Sequence, residues 1–196
     1  MKLVEKVDVD GVRDHLNTVA GLAQLNSKNR IGKTALHFAC DRVGTRTAQY
    51  KDIGELLISN GADVTVQDET GQTPTHSLCS LAVSGALPLL RLLFEAKADI
   101  TATSKWRQDH NESQWTPLHA AVNKGNLEIV LFLYHNGASI DAIDTKGRAP
   151  LASANKQQHV KRFLQNLPIR NPAAVALQAP VLAVAALAPG VPAPPP

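Results

Sequence analysis

Residues 111–119 read NESQWTPLH, and three further stretches of the chain follow the same pattern. They are NRIGKTALH at residues 29–37, DETGQTPTH at residues 68–76 and DTKGRAPLA at residues 144–152. A second block precedes each copy and reads LAQLN at 22–26, GADV at 61–64, KADI at 97–100 and GASI at 137–140. In three of the four copies this block begins 12 positions before the sixth residue of the copy, which is Thr or Ala. Such regular recurrence predicts a repeat protein.

The spacing of the copies locates insertions between them. The last two copies are 33 residues apart, whereas the first two are 39 apart and the middle two are 43 apart. The positions of the intervening blocks assign about six extra residues to 44–51 and three to 83–86. Seven more lengthen the connection between residues 97 and 116. We expect this third insertion to form a mobile loop, since connections of this kind lie on the surface.

The second half of each copy predicts the start of a helix. A Thr hydroxyl can cap free backbone amides, and Pro fits the first helical position, as at Thr73-Pro74 and Thr116-Pro117. The first half predicts a tight turn with positive φ, which glycine adopts at no steric cost. The turn glycines are Gly32, Gly71 and Gly147. Gln114 departs from this pattern at the third turn, and Ala149 departs from it at the fourth helix start.

Apolar residues at helical spacing follow each of these starts. In the third copy they predict a first helix with a buried stripe and a partner helix with another. These residues are Leu118, Ala121 and Val122, then Leu127, Val130, Leu131 and Tyr134. Stacked units of this kind complete one another's core, and the two ends need polar caps.

The two ends of the array are expected to differ from the middle. At the start, Val12, Leu16 and Val19 form one helical stripe of a degenerate cap. At the other end, residues 157–167 predict a last helix. Its water-facing side chains are expected to be Lys156, Gln157, Gln158 and Lys161.

These residues resemble the ankyrin repeat, whose pattern is Asp-x-x-Gly-x-Thr-Pro-Leu-His followed by two helices and Gly-Ala-Asp. The resemblance covers about residues 11–167 and implies an all-α solenoid of helix-turn-helix pairs with β-hairpin-like turns. It implies boundaries of 1–28 for a degenerate N-terminal capping repeat, 29–67 for repeat 1, 68–110 for repeat 2 with its long turn, 111–143 for repeat 3, 144–167 for the closing repeat and 168–196 for an Ala/Pro-rich disordered tail.

The resemblance also implies that the chain binds a partner protein through its turn tips and first helices. The variable turn positions of this chain are Arg30, Ile31, Lys33, Glu69, Thr70, Gln72, Glu112, Ser113, Trp115, Thr145, Lys146 and Arg148. The variable ends of the first helices are Asp41, Arg42, Asn123 and Lys124.

The long third connection is the most individual part of the chain. It holds both tryptophans, Trp106 and Trp115, with Lys105 and Arg107 beside the first. Trp and Arg are enriched at the energetic centres of interfaces, so we expect at least one tryptophan to anchor a partner. In the alternative, one tryptophan folds back to cover the insertion.

The composition divides the chain into a body and a tail. Residues 1–144 carry 14 basic and 17 acidic side chains, whereas residues 145–196 carry 6 basic and no acidic ones. Eight of the 12 prolines lie at or after Pro168. From the 196-residue length we do not expect a large multidomain enzyme. The longest apolar run, 181–188, is too short for a transmembrane segment, and the first nine residues do not resemble an export signal.

Two cysteines cannot form a disulfide scaffold, which favours a reducing compartment. We therefore expect an intracellular, cytoplasmic protein, with the nucleus as the second option.

Three motifs suggest chemistry, and each has a structural interpretation. Gly32-Lys33-Thr34 ends like a phosphate loop but lacks the first glycine of that motif. His37-x-x-Cys40 and His76-x-x-Cys79 suggest zinc, yet stacked helices stand about 8–10 Å apart, too far for one tetrahedral site. We expect instead that the cysteines are buried and that the histidines bond turn backbones between repeats.

His119, Thr116 and Asp144 suggest a catalytic set, but the repeat pattern makes the Thr a helix cap and the Asp the start of a turn. We expect no enzymatic activity, no cofactor and no metal. Arg42, Arg46 and Lys51 give only a weak footprint for nucleic acid, which is not an expected partner.

The sequence therefore predicts a monomeric protein-binding module that acts as an adaptor or a competitive inhibitor. The alternative is a targeting or recruiting subunit whose tail docks on a second factor or a membrane surface.

Overall fold

The computed structural model describes residues 8–44, 47–108, 111–154 and 157–167, and gives only the backbone for 47, 84, 105–108 and 111–113. The chain divides into two compact units, 1–165 and 166–196, and the second lies almost wholly outside the described residues. The predicted disordered tail, 168–196, is therefore not described. Arg46 and Lys156 also lie outside the described residues.

The described part of the chain is built mainly from short α-helices. They are α1 (Val9–Leu16), α2 (Val19–Ala23), α3 (Ala35–Arg42), α4 (Thr47–Ser59), α5 (Pro74–Cys79), α6 (Leu87–Glu95), α7 (Pro117–Lys124), α8 (Leu127–His135), α9 (Pro150–Ser153) and α10 (Gln158–Gln165). A 3-10 helix covers Ser84–Ala86, and two antiparallel strands, β1 (Ser104–Gln108) and β2 (Asn111–Trp115), form a hairpin.

The helices form two stacked rows. The first helices α3, α5, α7 and α9 contact one another in that order, and the second helices α4, α6, α8 and α10 do the same. Each second helix packs against the first helix that precedes it, and α1 packs on α2 and α4 at the start of the array. The all-α solenoid predicted from the sequence is confirmed.

Each repeat begins its first helix as its sequence predicts. Thr34, Thr73 and Thr116 stand at the N-caps of α3, α5 and α7, and a reciprocal capping box joins each to the His three residues later. Ala149, which has no hydroxyl, stands at the same position in the fourth copy, and the helix that follows, α9, has only four residues.

The turn glycines adopt the predicted conformation. Gly32, Gly71 and Gly147 have φ of 74°, 72° and 68°. At Gly32 a side chain is also excluded by space, because an added Cβ would lie 2.7 Å from the backbone N of Glu69 in the next turn. The first and second turn tips therefore pack backbone to backbone.

The three insertions take three different forms. The first lengthens α4 to 13 residues, against nine in α6 and α8. The second becomes the 3-10 helix. The third forms the hairpin, in which Ser104 pairs with Trp115 and Lys105 with Gln114. The insertion is therefore a hairpin and not an irregular loop, because paired strands satisfy its backbone. Its expected mobility stays a prediction.

The opening cap differs from its predicted stripe at one residue. Val12 and Leu16 are buried in α1, as expected, but Val19 is 88% exposed. The stripe ends because Thr18 caps a new helix, its hydroxyl accepting the N–H of Gly21 at 2.9 Å, so α1 and α2 do not share one axis. Val19 was wrongly assigned to the core.

The closing cap follows its prediction more closely. Helix α10 buries Val160 and Leu164 against the array. Gln158 is exposed, and Gln157 and Lys161 are half-buried.

The core follows the helical pattern. Leu118, Ala121, Val122 and Val130 are fully buried and Tyr134 is nearly so, whereas Leu127 and Leu131 are half-buried. Cys40 and Cys79 are also fully buried and are not joined in a disulfide. The structural interpretation of the cysteines is confirmed.

Helix α5 carries a defect in this core. The Oγ1 of Thr75 and the Oγ of Ser77 are buried without a hydrogen-bond partner. The other copies have Leu where α5 has Thr75, at Leu36, Leu118 and Leu151. A buried hydroxyl without a partner costs about 1–3 kcal/mol, so the second repeat is weakened from inside.

Replacing Thr75 by Val removes this hydroxyl and keeps the side-chain volume. We expect the Thr75→Val chain to be more stable to urea by about 1 kcal/mol. Thr116→Val is the matched control, because the same exchange there removes a capping hydroxyl, and it should lower the stability by about 1 kcal/mol. Equal effects of the two variants in urea titrations followed by circular dichroism would contradict the assignment.

Candidate functional site

In the first repeat, the turn tip and the end of the first helix lie side by side, and the repeat pattern places 123–124 at the corresponding helix end of the third repeat. Nζ of Lys33, at the end of the first turn, donates to Oδ2 of Asp41, near the end of α3, at 2.6 Å. We call this surface the tip face: it consists of turn residues 29–33, 68–72 and 144–148 together with 41–42 and 123–124. It contains most of the residues predicted to bind a partner.

Side chains within each turn hold the tips in shape. Asp68 Oδ1 accepts hydrogen bonds from the N–H groups of Thr70 and Gln72 and from the Thr70 hydroxyl. In the fourth turn, Asp144 Oδ1 accepts from the N–H groups of Lys146 and Arg148. Asn29 does the same in the first turn, through the N–H groups of Ile31 and Lys33. The tips are therefore preorganised.

A histidine of each first helix fixes one repeat to the next. Nε2 of His37 lies 3.0 Å from the carbonyl of Gln72, that of His76 lies 3.0 Å from the carbonyl of Trp115, and that of His119 lies 3.1 Å from the carbonyl of Arg148. In each case Nδ1 accepts the N–H of the capping Thr of its own repeat. The predicted bonding of turn backbones between repeats is confirmed.

This geometry requires neutral histidines. Nδ1 is an acceptor, so the single ring proton sits on Nε2 and is donated to the next turn. Burial lowers the pKa of His37 and of His119, and it lowers the pKa of His76 to about 4 although the hydrogen bond to the Trp115 carbonyl opposes the shift. Protonation would place a second donor against the Thr N–H.

Trp115 belongs to this scaffold. Its side chain is 4% exposed and stacks on the His119 ring, with centroids 6.0 Å apart. Its Nε1 donates to Oδ2 of Asp144 at 3.3 Å, and its carbonyl accepts from His76 and from the Ser104 hydroxyl. As a partner-binding residue, Trp115 is corrected, because its side chain is buried against His119 and Asp144. The expectation that a tryptophan anchors a partner stays a prediction for Trp106, whose side chain lies outside the described residues.

The Asp144 carboxylate, which accepts the hydrogen bond from Trp115, also forms an ion pair with Arg148. Arg148 donates to Oδ2 of Asp144 from Nε at 2.9 Å and from Nη2 at 2.7 Å. Burial would raise the pKa of Asp144, but the side-chain and backbone hydrogen bonds from Arg148 and the N–H of Lys146 outweigh it and lower this pKa to about 2. The fourth turn is thus held by an ionised carboxylate.

The remaining predicted contact residues divide by exposure. The exposed ones are Arg30, Ile31, Arg42, Glu69, Lys124, Thr145 and Lys146. The half-buried ones are Lys33, Asp41, Thr70, Gln72, Asn123 and Arg148. Side chains of Lys105, Trp106, Arg107, Glu112 and Ser113 lie outside the described residues, although their backbones form the two strands.

Sequence reasoning missed two exposed apolar positions, Leu22 at 47% and Ile143 at 68% exposure. Leu22 lies on α2, one turn after the exposed Val19, and Ile143 directly precedes the fourth turn. For Leu22, the helix-capping residue Thr18 is the sequence feature that indicates a new helix and a change of face. Nothing in the repeat pattern distinguishes Ile143.

The motifs that suggested catalysis have structural roles. Lys33 is paired with Asp41, and the Thr116 hydroxyl lies 2.9 Å from Nδ1 of His119 within the capping box. Burial raises the pKa of the Cys40 thiol and of the Cys79 thiol, which keeps both protonated and unreactive.

Among the described residues, no group of three or more His, Cys, Asp or Glu side chains could hold a metal ion. No helix in the same part of the chain combines the length and apolar character needed to cross a membrane.

Comparison with known proteins matches this architecture. The family model described as ankyrin repeats, three copies, matches residues 45–144 and again residues 104–171. The tyrosine-protein kinase HTK16 of Hydra vulgaris is 30% identical over 165 residues, covering 80% of this chain and 20% of the kinase. The probable 26S proteasome regulatory subunit p28 of Saccharomyces cerevisiae is 30% identical over 144 residues, covering 73% and 57%.

The mouse B-cell lymphoma 3 protein homolog is 33% identical over 135 residues, covering 68% of this chain and 28% of the mouse protein. The chain thus spans between one fifth and three fifths of the length of these three relatives.

The histidine bridges predict a stability that depends on pH. The unfolded chain binds protons at its histidines near pH 6.5, whereas folded His76 binds one only near pH 4, so stability falls as the pH falls through this window. His76 alone accounts for about 3 kcal/mol. Urea titrations at about pH 7.5 and about pH 4.5 should show this loss.

The control for this prediction is His76→Gln, which cannot ionise and should reduce the pH dependence. The bound carboxylate of Asp144 titrates lower, between pH 3.8 and about 2, and does not contribute in this window. A stability that is the same at both pH values would refute the assignment of neutral, bridging histidines.

Removing the Trp115 side chain should destabilise the fold. We expect Trp115→Ala to cost about 3–5 kcal/mol, the usual range for a buried aromatic residue. Trp115→Phe keeps most of the packing and loses the Nε1 hydrogen bond, so its cost should be about 1–2 kcal/mol. Thermal unfolding of both variants measures the loss of stability, and the exposed-site variant Val19→Ala is the control. An unchanged melting curve for Trp115→Ala would place the side chain on the surface.

Proposed function

Because the chain belongs to the ankyrin repeat family, we propose that it acts by holding a partner protein against the tip face, as an adaptor or as a competitive inhibitor. The ankyrin repeats themselves indicate a protein–protein interaction module. We also propose that the cap and the four repeats occupy residues 1–28, 29–67, 68–110, 111–143 and 144–167.

The observation that supports a binding role is that some side chains of each turn fix its backbone while others are exposed to solvent. Acceptor side chains and glycines fix the backbone of the tips, while neighbouring side chains such as Arg30, Ile31 and Lys146 are exposed. A rigid scaffold that presents variable side chains loses little conformational entropy when a partner binds. Ile31 is the large apolar member of this surface, at 51% exposure.

The yeast relative supports association rather than catalysis. The yeast relative is named as a probable regulatory subunit of the 26S proteasome. The Hydra relative is named as a tyrosine-protein kinase, but this chain covers only a fifth of it, so the name of that enzyme is no ground for kinase activity here. We propose a non-enzymatic role, with the two protonated cysteines as structural residues.

We further propose a reducing intracellular compartment, cytoplasmic or nuclear, and a monomer. The free state of Cys40 and Cys79 supports the compartment. The alternative is that the tail, residues 168–196, recruits a second factor or docks on a membrane surface. A chain that ends at residue 167 distinguishes the two proposals.

Paired surface variants test the tip face. The biotinylated full chain is used as bait in native extract, and captured proteins are crosslinked and identified by mass spectrometry. Ile31→Arg should reduce capture by about tenfold or more, because a central apolar contact is lost. Val19→Arg is the matched control, since it places the same charge on an apolar residue that is exposed elsewhere.

Two results would contradict this proposal. One is equal capture by the Ile31→Arg and Val19→Arg chains. The other is a full loss of capture by a chain that ends at residue 167, which would favour the tail as the docking segment. Circular dichroism confirms that each variant is folded before capture is compared.

A further inference from the structure

The tip face exposes an excess of positive charge. Two of its cations are paired internally, Lys33 with Asp41 at 2.6 Å and Arg148 with Asp144 at 2.7 Å. Besides these residues, the exposed charged side chains of the tip face among the described residues include the cations Arg30, Lys124 and Lys146 and one carboxylate, Glu69.

Three of the second helices, α4, α6 and α8, and the turns that follow them have the opposite balance, whereas α10 carries Lys161 and Arg162 and no carboxylate. From residue 51 to residue 141 this surface carries seven carboxylates and three cations that are exposed or half-buried. These are Asp52, Glu55, Asp63, Glu95, Asp99, Glu128 and Asp141, with Lys51, Arg91 and Lys97. The charges of the array are thus segregated by face, although residues 1–144 are acidic overall.

We propose that the tip face binds an acidic segment of its protein partner. This inference rests on the proposed function and specifies the partner's chemistry. Complementary charge steers the encounter and fixes the register of the partner on the face, and an apolar side chain of the segment would pack on Ile31 beside Arg30. Arg30, Lys124 and Lys146 have no charged side-chain partner within the described residues, so an incoming carboxylate would not displace an existing ion pair.

The placement of the charges favours a peptide over a nucleic acid. The cations belong to the first, third and fourth copies, and Glu69 lies in the second. Adjacent first helices stand about 8–10 Å apart, which is close to three residues of an extended chain at about 3.3 Å each. A peptide can place carboxylates opposite the cations and an uncharged residue opposite Glu69. A nucleic acid strand carries a phosphate about every 3.4 Å and cannot omit one there.

Fluorescence anisotropy with synthetic peptides tests this inference on the full chain. The probe is an extended peptide of about twelve residues with Glu at every third position, a Gln replacing the Glu that would face Glu69, and one Leu at the end that would face Ile31. Its analogue carries Gln in place of every Glu. We expect the acidic probe to bind at least about tenfold more tightly than the analogue, and the difference to shrink at high salt.

Charge-reversal variants assign the binding to a face. The triple variant Arg30→Glu, Lys124→Glu, Lys146→Glu should weaken binding of the acidic probe by about tenfold or more. The matched control, Arg91→Glu, Lys97→Glu, Arg162→Glu, changes the net charge equally at exposed positions away from the tip face and should weaken it much less. Circular dichroism verifies the fold of both.

The other outcomes overturn the inference. Equal weakening by both triple variants would mean a general effect of net charge. Tighter binding of a single-stranded oligonucleotide, lost in the tip-face variant, would make the face a nucleic acid site. Salt-dependent dimerisation in analytical ultracentrifugation, lost in the same variant, would identify the acidic face of a second copy as the occupant. If the acidic probe fails but Ile31→Arg still abolishes capture from extract, the binding function stands and only the acidic character of the partner is refuted.

Discussion

The hydrogen bond from a histidine Nε2 to a turn carbonyl of the next repeat holds this array in register. It occurs three times with nearly the same length, at His37, His76 and His119. Each ring also receives an N–H at the start of its own helix, so one side chain satisfies backbone groups in two repeats. The stacking distance, the turn conformation and the helix start are therefore coupled, and a change in one is felt by the others.

The sequence predicted the features that depend on local backbone chemistry. Thr followed by Pro begins a helix at both places where the pair occurs, Thr73 and Thr116, and glycine is favoured where φ is positive, as at Gly71. The sequence did not predict features that depend on contacts between distant segments. The burial of Trp115 requires the Asp144 carboxylate 29 residues later, and the hairpin requires strand pairing across the insertion.

The candidate site shows the same limit. The pattern located the turn tips correctly, because they are fixed by their neighbours in the chain. It could not distinguish Lys33, which is paired with Asp41, from Arg30 three residues earlier, which is exposed. Tertiary neighbours decide whether a charged side chain at a variable position is available to a partner. The surface that results is more basic than the body it belongs to.

The two buried hydroxyls of α5 affect the whole array. Stability in a one-dimensional array is a sum over units and their shared boundaries, so a flawed unit in the middle weakens the coupling on both of its sides. The unsatisfied hydroxyls of Thr75 and Ser77 therefore lower the cooperativity between the opening repeats and the closing ones. Because each unit contacts only its neighbours, a local opening at α5 separates the first repeat from the third and fourth without unfolding them.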